Sequence, residues 1–205
     1  FEEVWIQPAA GDAGGALGVA LFIWHQLLDN PRTPGLPDGQ QGSLLGPKAD
    51  DAGTREYLES VGASYRHFED EGELCDYVAG RMAAEKVVGF MQGRMEFGPR
   101  ALGGRSIIGD ARSKTMQSVM NLKIKFRESF RPFAPSVLRH RVQDYFEMRD
   151  SEDSPYMLLV APVREDRRTA SGGGGDLKGL DKLKEIRSEV PAITHVDYSA
   201  RVQTV

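Results

Sequence analysis

The chain has 205 residues, 26 lysines and arginines against 30 acids for a net charge of −4, and 40% hydrophobic residues, the balance of an ordinary water-soluble globular protein. No apolar run nears the roughly 20 residues that span a bilayer, no basic-then-apolar leader points to secretion, and the single cysteine, Cys75, excludes an intrachain disulfide or a cysteine metal cluster. A cytoplasmic protein is the expectation.

In chain order, Val4 to Gln7 reads as a short strand that leads through a glycine-rich turn into an apolar helix from about Ala16 to Leu28. Residues 29–53 are rich in proline, glycine and aspartate and read as an inter-domain connection. In TREYLESVGASYRHF, Leu58, Val61, Tyr65 and Phe68 fall at helical spacing. A further helix is expected from about Gly72 to Glu85, with Cys75 as a reduced core thiol beside Val78 and Met82. KVVGFMQG reads as a buried strand, and QGRMEFGPRALGGRSII as a strand-to-helix turn. TMQSVMNLKIKF should be a helix running into a turn. RPFAPSVL should be extended, because proline disfavours helix at its own position and just before it. HRVQDYFEM reads as a short amphipathic helix, PYMLLVAPV as a strand and AITHVDYSARVQTV as a last extended segment. Between these last two, REDRRTASGGGGDLKGLDKLKEIRSEV reads as a surface excursion with a flexible Gly-Ser run. Strands alternating with helices make an α/β chain.

Charge is unevenly spread. From Arg94 to Arg141 there are 11 lysines and arginines against 3 acids, a local balance of +8 inside an acidic protein. A basic island interleaved with Gly, Pro and Phe reads as an anion site. In FGPRALGGR, Gly98, Gly103 and Gly104 flank Arg100, and glycine-turn amides can form an anion-binding nest. An arginine on such a turn offers a planar fork to phosphate or carboxylate. Downstream, KIKFRESFRPFAPS carries Lys123, Lys125, Arg127 and Arg131. On an extended segment the first three would share one face, and like charges so placed call for a polyanion. Glu96 and Glu128 are expected to pair with one or two of these arginines. Residues alone stop at a phosphate-rich ligand in an α/β domain.

Four blocks, VVGFMQGRMEFGPRALGGRSIIGDAR, KFRESFRPFAPSVL, SPYMLLVAPV and PAITHVDYSARVQTV, together resemble the carbamoyltransferases of the NodU/TobZ family. The resemblance implies residues 51–205 as a YrdC-like domain, a twisted mixed sheet with flanking helices and a basic concave groove, C-terminally incomplete. It implies residues 1–50 as the end of an actin-like (ASKHA-type) ATPase-fold transferase domain plus linker. In such enzymes the YrdC-like domain makes carbamoyladenylate from carbamoyl phosphate and ATP, releasing pyrophosphate, and the carbamoyl group passes to a hydroxyl of a sugar or antibiotic precursor. Arg100, Lys125, Arg131 and Arg201 would be the catalytic residues that touch carbamoyl phosphate or nucleotide phosphates. Arg127, Gly98, Gly103, His195 and Ser199 would complete the binding surface. His195 is open to three roles: general base, phosphate ligand, or packed strand histidine. ATP with Mg2+ is the implied cofactor, and the actin-like domain of the complete enzyme is a place for Fe2+. There the aspartate matching Asp12 is an iron ligand, although a lone aspartate in a glycine turn also reads as a helix N-cap and the family's histidine pair is absent from this chain. The chain departs from the family at Tyr198, usually Gly, and Gly104, usually Asn. It reads as a middle-to-late section of a longer protein, expected not to carbamoylate an acceptor by itself, with its binding of ATP or carbamoyl phosphate left open. Neither a membrane nor a nucleic acid is an expected partner. The alternative reading is an RNA- or nucleotide-binding module, for which Phe126, Phe130 and Phe133 are the only stacking candidates, at least two of them expected in the core.

Overall fold

A computed structural model describes residues 5–35, 38–169, 183 and 185–205, and the chain is mixed α/β, with three α-helices before the first strand. It forms two units, one of residues 1–75 and 89–106 and the other of residues 76–88 and 107–205. The strand expected from Val4 begins outside the described residues, and Trp5 to Gln7 are irregular.

In the first unit, α1 spans Asp12–Phe22 and runs into a π-helical turn at Ile23–Leu27. Its N-cap is Gly11, so Asp12 is the first helical residue and not the cap expected of it. A carboxylate in the first turn is still favourable there, facing the positive end of the helix dipole. Helix α2 is Asp51–Ser60, and Asp50 caps it by accepting from the Gly53 amide at 2.7 Å. The expected helix through Phe68 stops eight residues short. The amides of Gly62 and Ala63 donate back to Glu59 O and Leu58 O at 3.1 and 2.9 Å, the paired bonds of a glycine-terminated helix. Tyr65 and Phe68 therefore fall beyond the helix.

Helix α3 is Glu71–Ala83, with the Glu73 amide bound to the Asp70 carboxylate at 2.9 Å. None of its residues is buried, so Cys75 is an exposed thiol and not a core one. Strands β1 (Val88–Met91) and β2 (Arg105–Ile108) pair as a two-stranded sheet. The expected strand-to-helix turn is therefore a strand-to-strand connection. The Gln92 amide donates to Gly104 O at 3.0 Å where the two strands meet, and the β-branched pair Ile107–Ile108 favours a strand over a helix start.

The second unit holds the larger core. Helix α4, Met116–Val119, continues as a π-helical turn Met120–Lys125 and ends at Phe126 in the left-handed region, φ 49°. Strands β3 (Ser136–Val137), β4 (Leu159–Pro162) and β5 (Ser199–Thr204) form a sheet in the order β3-β5-β4. β5 is parallel to β3 and antiparallel to β4, with Val202 opposite Leu159 and Arg201 opposite Val160. Alternation along β5 sends Ala200 and Val202 into a core with Val163, Phe146, Val142 and Ile193 and leaves Arg201 on the other face. HRVQDYFEM forms a 3-10 turn, Arg139–Asp144, instead of an amphipathic α-helix, while Val142 and Phe146 still point inward. The last segment is extended only from Ser199, because residues 191–198 are turns.

The excursion between β4 and β5 is closed at its base. Thr169 N donates to Arg187 O and Glu189 N to Arg167 O, both at 3.0 Å. Its glycine-rich middle lies outside the described residues.

Candidate phosphate-binding pocket

Within the second unit, the loop after the π-helical turn, the turn before β5 and the outer face of β4–β5 line a pocket of about 510 Å3. Arg127, Arg131, Arg201, His195 and Ser199 all contribute to it, together with Asp197, Phe133 and Val160. Five of the expected site residues thus converge, although they span 75 positions of sequence from Arg127 to Arg201. Lys125 does not line the pocket. It closes the π-helical turn and is exposed. The expected shared face of Lys123, Lys125 and Arg127 is not formed, because the first two lie in that helical turn and Phe126 reverses the backbone.

Each pocket arginine is held differently. Arg127 Nε donates to Asn121 Oδ1 at 2.6 Å, and its guanidinium lies 4.8 Å from the Phe133 ring centre. Arg131 Nε pairs with Glu128 at 2.8 Å, both side chains about half exposed (53%). Such an exposed pair contributes little to stability. Arg201 projects from β5 between buried neighbours, so the strand fixes its starting point. The expected pairing of a glutamate with an island arginine holds for Glu128.

Opposite the arginines, Asp197 organises the turn into β5. Ser199 Oγ and N–H donate to Asp197 Oδ1 at 2.6 and 3.0 Å, and His195 Nδ1 lies 3.2 Å from the same oxygen. These bonds, the Ser199 hydroxyl first, hold the Asp197 carboxyl below the usual carboxylate range. His195 is therefore an exposed turn residue and not a packed strand histidine. Because Ser199 donates to Asp197, it is oriented as a hydrogen-bonding group and not as a nucleophile activated by His195. Tyr198, where the family usually has glycine, sits at φ 64°, and the Arg168 guanidinium lies 5.2 Å from its ring centre.

The glycine-rich connection belongs to the first unit, as does Arg100, which is half-buried. Gly98 and Gly103 have φ 107° and 111°, conformations that strain any side chain. The amides of Leu102, Gly104 and Arg105 do form a nest, and it holds the carboxylate of Glu96, with Oε1 at 2.8, 2.7 and 3.0 Å. Glu96 thus pairs with backbone instead of with an arginine, and an internal carboxylate fills the cradle expected for phosphate. Burial pushes the Glu96 carboxyl up, but these amide bonds together outweigh it and hold it below the usual carboxylate range. A Cβ on Gly104 would meet Arg94 O at 2.4 Å, so the asparagine usual in the family does not fit this backbone. Other island arginines serve the protein itself. Arg94 bonds Gly46 O, Arg105 bonds the carbonyls of Gln92, Gly93 and Gly104, and Arg112 grips Asp110.

Of the three phenylalanines in this region, only Phe133 packs against the core, while Phe126 and Phe130 are exposed. Among the described residues no three His, Cys, Asp or Glu side chains come together to hold a metal, so Asp12 has no cage for Fe2+ within them. Among them, too, no helix is long and apolar enough to cross a membrane.

Residues 79–205 match the family model described as carbamoyltransferase C-terminus, and the chain belongs to that carbamoyltransferase family. It is 58% identical to an uncharacterised protein of a Synechocystis species, over 100% of this chain and 33% of that protein. It is 40% identical to the nodulation protein NolNO of Sinorhizobium fredii, over 100% of the chain and 27% of that protein. It is also 33% identical to the 3'-hydroxymethylcephem-O-carbamoyltransferase of Streptomyces clavuligerus, over 100% of the chain and 32% of that enzyme. The chain spans about a third of the length of the curated relatives it matches.

Proposed function

We propose that the pocket of Arg127, Arg131 and Arg201 takes the phosphates of carbamoyl phosphate and of ATP with its Mg2+, and that the protein of which this chain is part transfers a carbamoyl group to a hydroxyl acceptor. The observation that carries this reading is the convergence of three arginines on one pocket beside His195 and Ser199. Three arginines and one carboxylate, Asp197, line the pocket, an excess of positive charge that suits a ligand with several negative charges. A relative named as an O-carbamoyltransferase supports the reaction class.

The chemistry follows from the charges. Forming carbamoyladenylate joins a carbamate oxygen to the α-phosphorus of ATP and expels pyrophosphate. Atom balance then requires one water, and phosphate leaves the carbamoyl donor. Both departures build negative charge, which fixed guanidinium groups stabilise without reorganising. Ser199 and His195 supply hydrogen bonds at the pocket edge. Arg100 on its own loop and Lys125 at the end of its turn do not line this pocket and belong to the proposal as further phosphate contacts, while Gly98 and Gly103 shape the loop whose amides hold Glu96. The YrdC-like architecture, the actin-like origin of residues 1–50 and a sugar or antibiotic acceptor belong to this proposal as well.

Pyrophosphate release from ATP tests it. Release should require carbamoyl phosphate and should fall at least roughly tenfold in Arg201→Ala, the loss of about one charge-assisted contact. Release that ignores carbamoyl phosphate, or survives Arg201→Ala unchanged, contradicts the reading.

A further inference from the structure

Asn121 is a fully buried polar residue, 0% exposed, at the start of the π-helical turn. An asparagine side chain has one acceptor oxygen and two N–H donors, and here all are used. Oδ1 accepts from Arg127 Nε at 2.6 Å, and Nδ2 donates to Ser129 O at 3.1 Å and to Arg131 O at 2.8 Å. Its own carbonyl accepts from the Arg127 amide at 3.0 Å. One turn earlier, Gln117 Nε2 donates to Phe130 O at 3.0 Å from the same helix side.

Asn121 spends its oxygen on the side chain of Arg127 and a proton on the backbone of Arg131, the two loop arginines of the pocket. We propose that Asn121 is a positioning residue that sets the guanidinium of Arg127 and the backbone of Arg131 for the incoming phosphates. The inference rests on the phosphate reading of the pocket. Without the Asn121 side chain, the Arg127 guanidinium loses its hydrogen bond and keeps its stacking on Phe133, and the loop of Ser129 to Arg131 loses both of its side-chain clamps from that residue.

The test combines ligand titration with a measurement that needs no ligand. ATP and carbamoyl phosphate are titrated calorimetrically into the wild-type chain, Asn121→Ala, Arg127→Ala and the double variant. Asn121→Ala should weaken binding roughly tenfold, and the double variant should lose less than the product of the single losses, because Asn121 acts partly through Arg127. Losses that multiply, or wild-type affinity in Asn121→Ala, overturn the proposal. In parallel, the Arg127 Nε–H resonance, assigned by its absence in Arg127→Lys, should be protected from solvent exchange in the wild type and exposed in Asn121→Ala. Unprotected exchange in the wild type overturns the proposal even when ligands bind. Absence of binding by the wild type sinks the pocket reading, and the exchange measurement then decides whether Asn121 holds Arg127. Should Asn121→Ala fail to fold, the isosteric Asn121→Asp carries both measurements. It keeps the acceptor for Arg127 and loses both donors, so Arg127 protection should persist while affinity falls. Unchanged affinity in Asn121→Asp would overturn the role toward Arg131.

Discussion

Tyr198 occupies a backbone conformation, φ 64°, that suits glycine. The left-handed region costs a residue with a Cβ about 1–2 kcal/mol, and here the ring has Arg168 5.2 Å from its centre as partial compensation. Tyr198→Gly should therefore be more stable than Tyr198→Ala by about 1 kcal/mol, since both lose the ring and only glycine relieves the backbone. Chemical denaturation of the two variants reads this directly, and equal midpoints would refute the strain. The residue also illustrates what a sequence hides. Its departure from the family was visible as a letter, but its consequence is a backbone angle that no letter records. Asn121 was hidden for another reason: a lone buried asparagine in a helix has no periodic signature. Arg127 and Arg131 were legible as members of the basic island and Arg201 through the family resemblance, but their convergence on one pocket depends on the fold. The shared face of Lys123, Lys125 and Arg127 does not form because alternation with period two belongs to a strand, and the first two lie in a helical turn.

At the scale of elements, the connection of residues 92–104 is an internal electrostatic clamp. Its glycines were legible as a nest, but not the carboxylate that fills it, because Glu96 is separated from the amides of Leu102, Gly104 and Arg105 by several residues and reaches them only once the loop turns back. Removing the acceptor leaves these donors unsatisfied, so Glu96→Ala should cost about 2 kcal/mol in unfolding free energy. Glu96→Gln, which keeps an oxygen, should cost less. The depressed pKa gives the sign of the pH dependence. The folded state holds Glu96 ionised more firmly than the unfolded chain does, where the value is about 4.3. Its contribution is present above that pH and is lost as pH falls through the lower folded value. The stability difference between wild type and Glu96→Gln should therefore shrink on acidification below about pH 4. A difference that stays constant would place the carboxylate elsewhere.

At the scale of the whole chain, the second unit supplies both a core and a pocket from the two faces of β5. The mixed α/β class was legible from the expected helices and strands, although the helices α1 to α3 all precede the first strand. The boundary between units was not, since it passes inside α3, β1 and β2 and not through the proline-rich loop. Opposite faces of one sheet should respond differently to truncation. Val202, 0% exposed, should lose about 2 kcal/mol on conversion to alanine, through transfer and cavity terms. Val160, 64% exposed on the pocket face, should change stability by no more than roughly 0.5 kcal/mol. Comparable losses at both would mean that the sheet does not divide core from pocket as described.

The central claim, that this pocket is built for phosphates, is tested most directly by calorimetric titration of ATP and carbamoyl phosphate into the chain with Arg131→Ala as control. Arg131 suits the purpose because its partner Glu128 is half exposed and is not stranded in the core by the change. The wild type should bind saturably, and binding should weaken roughly tenfold in the variant. Absence of heat with either ligand from a demonstrably folded chain, or equal binding by both proteins, would contradict the claim.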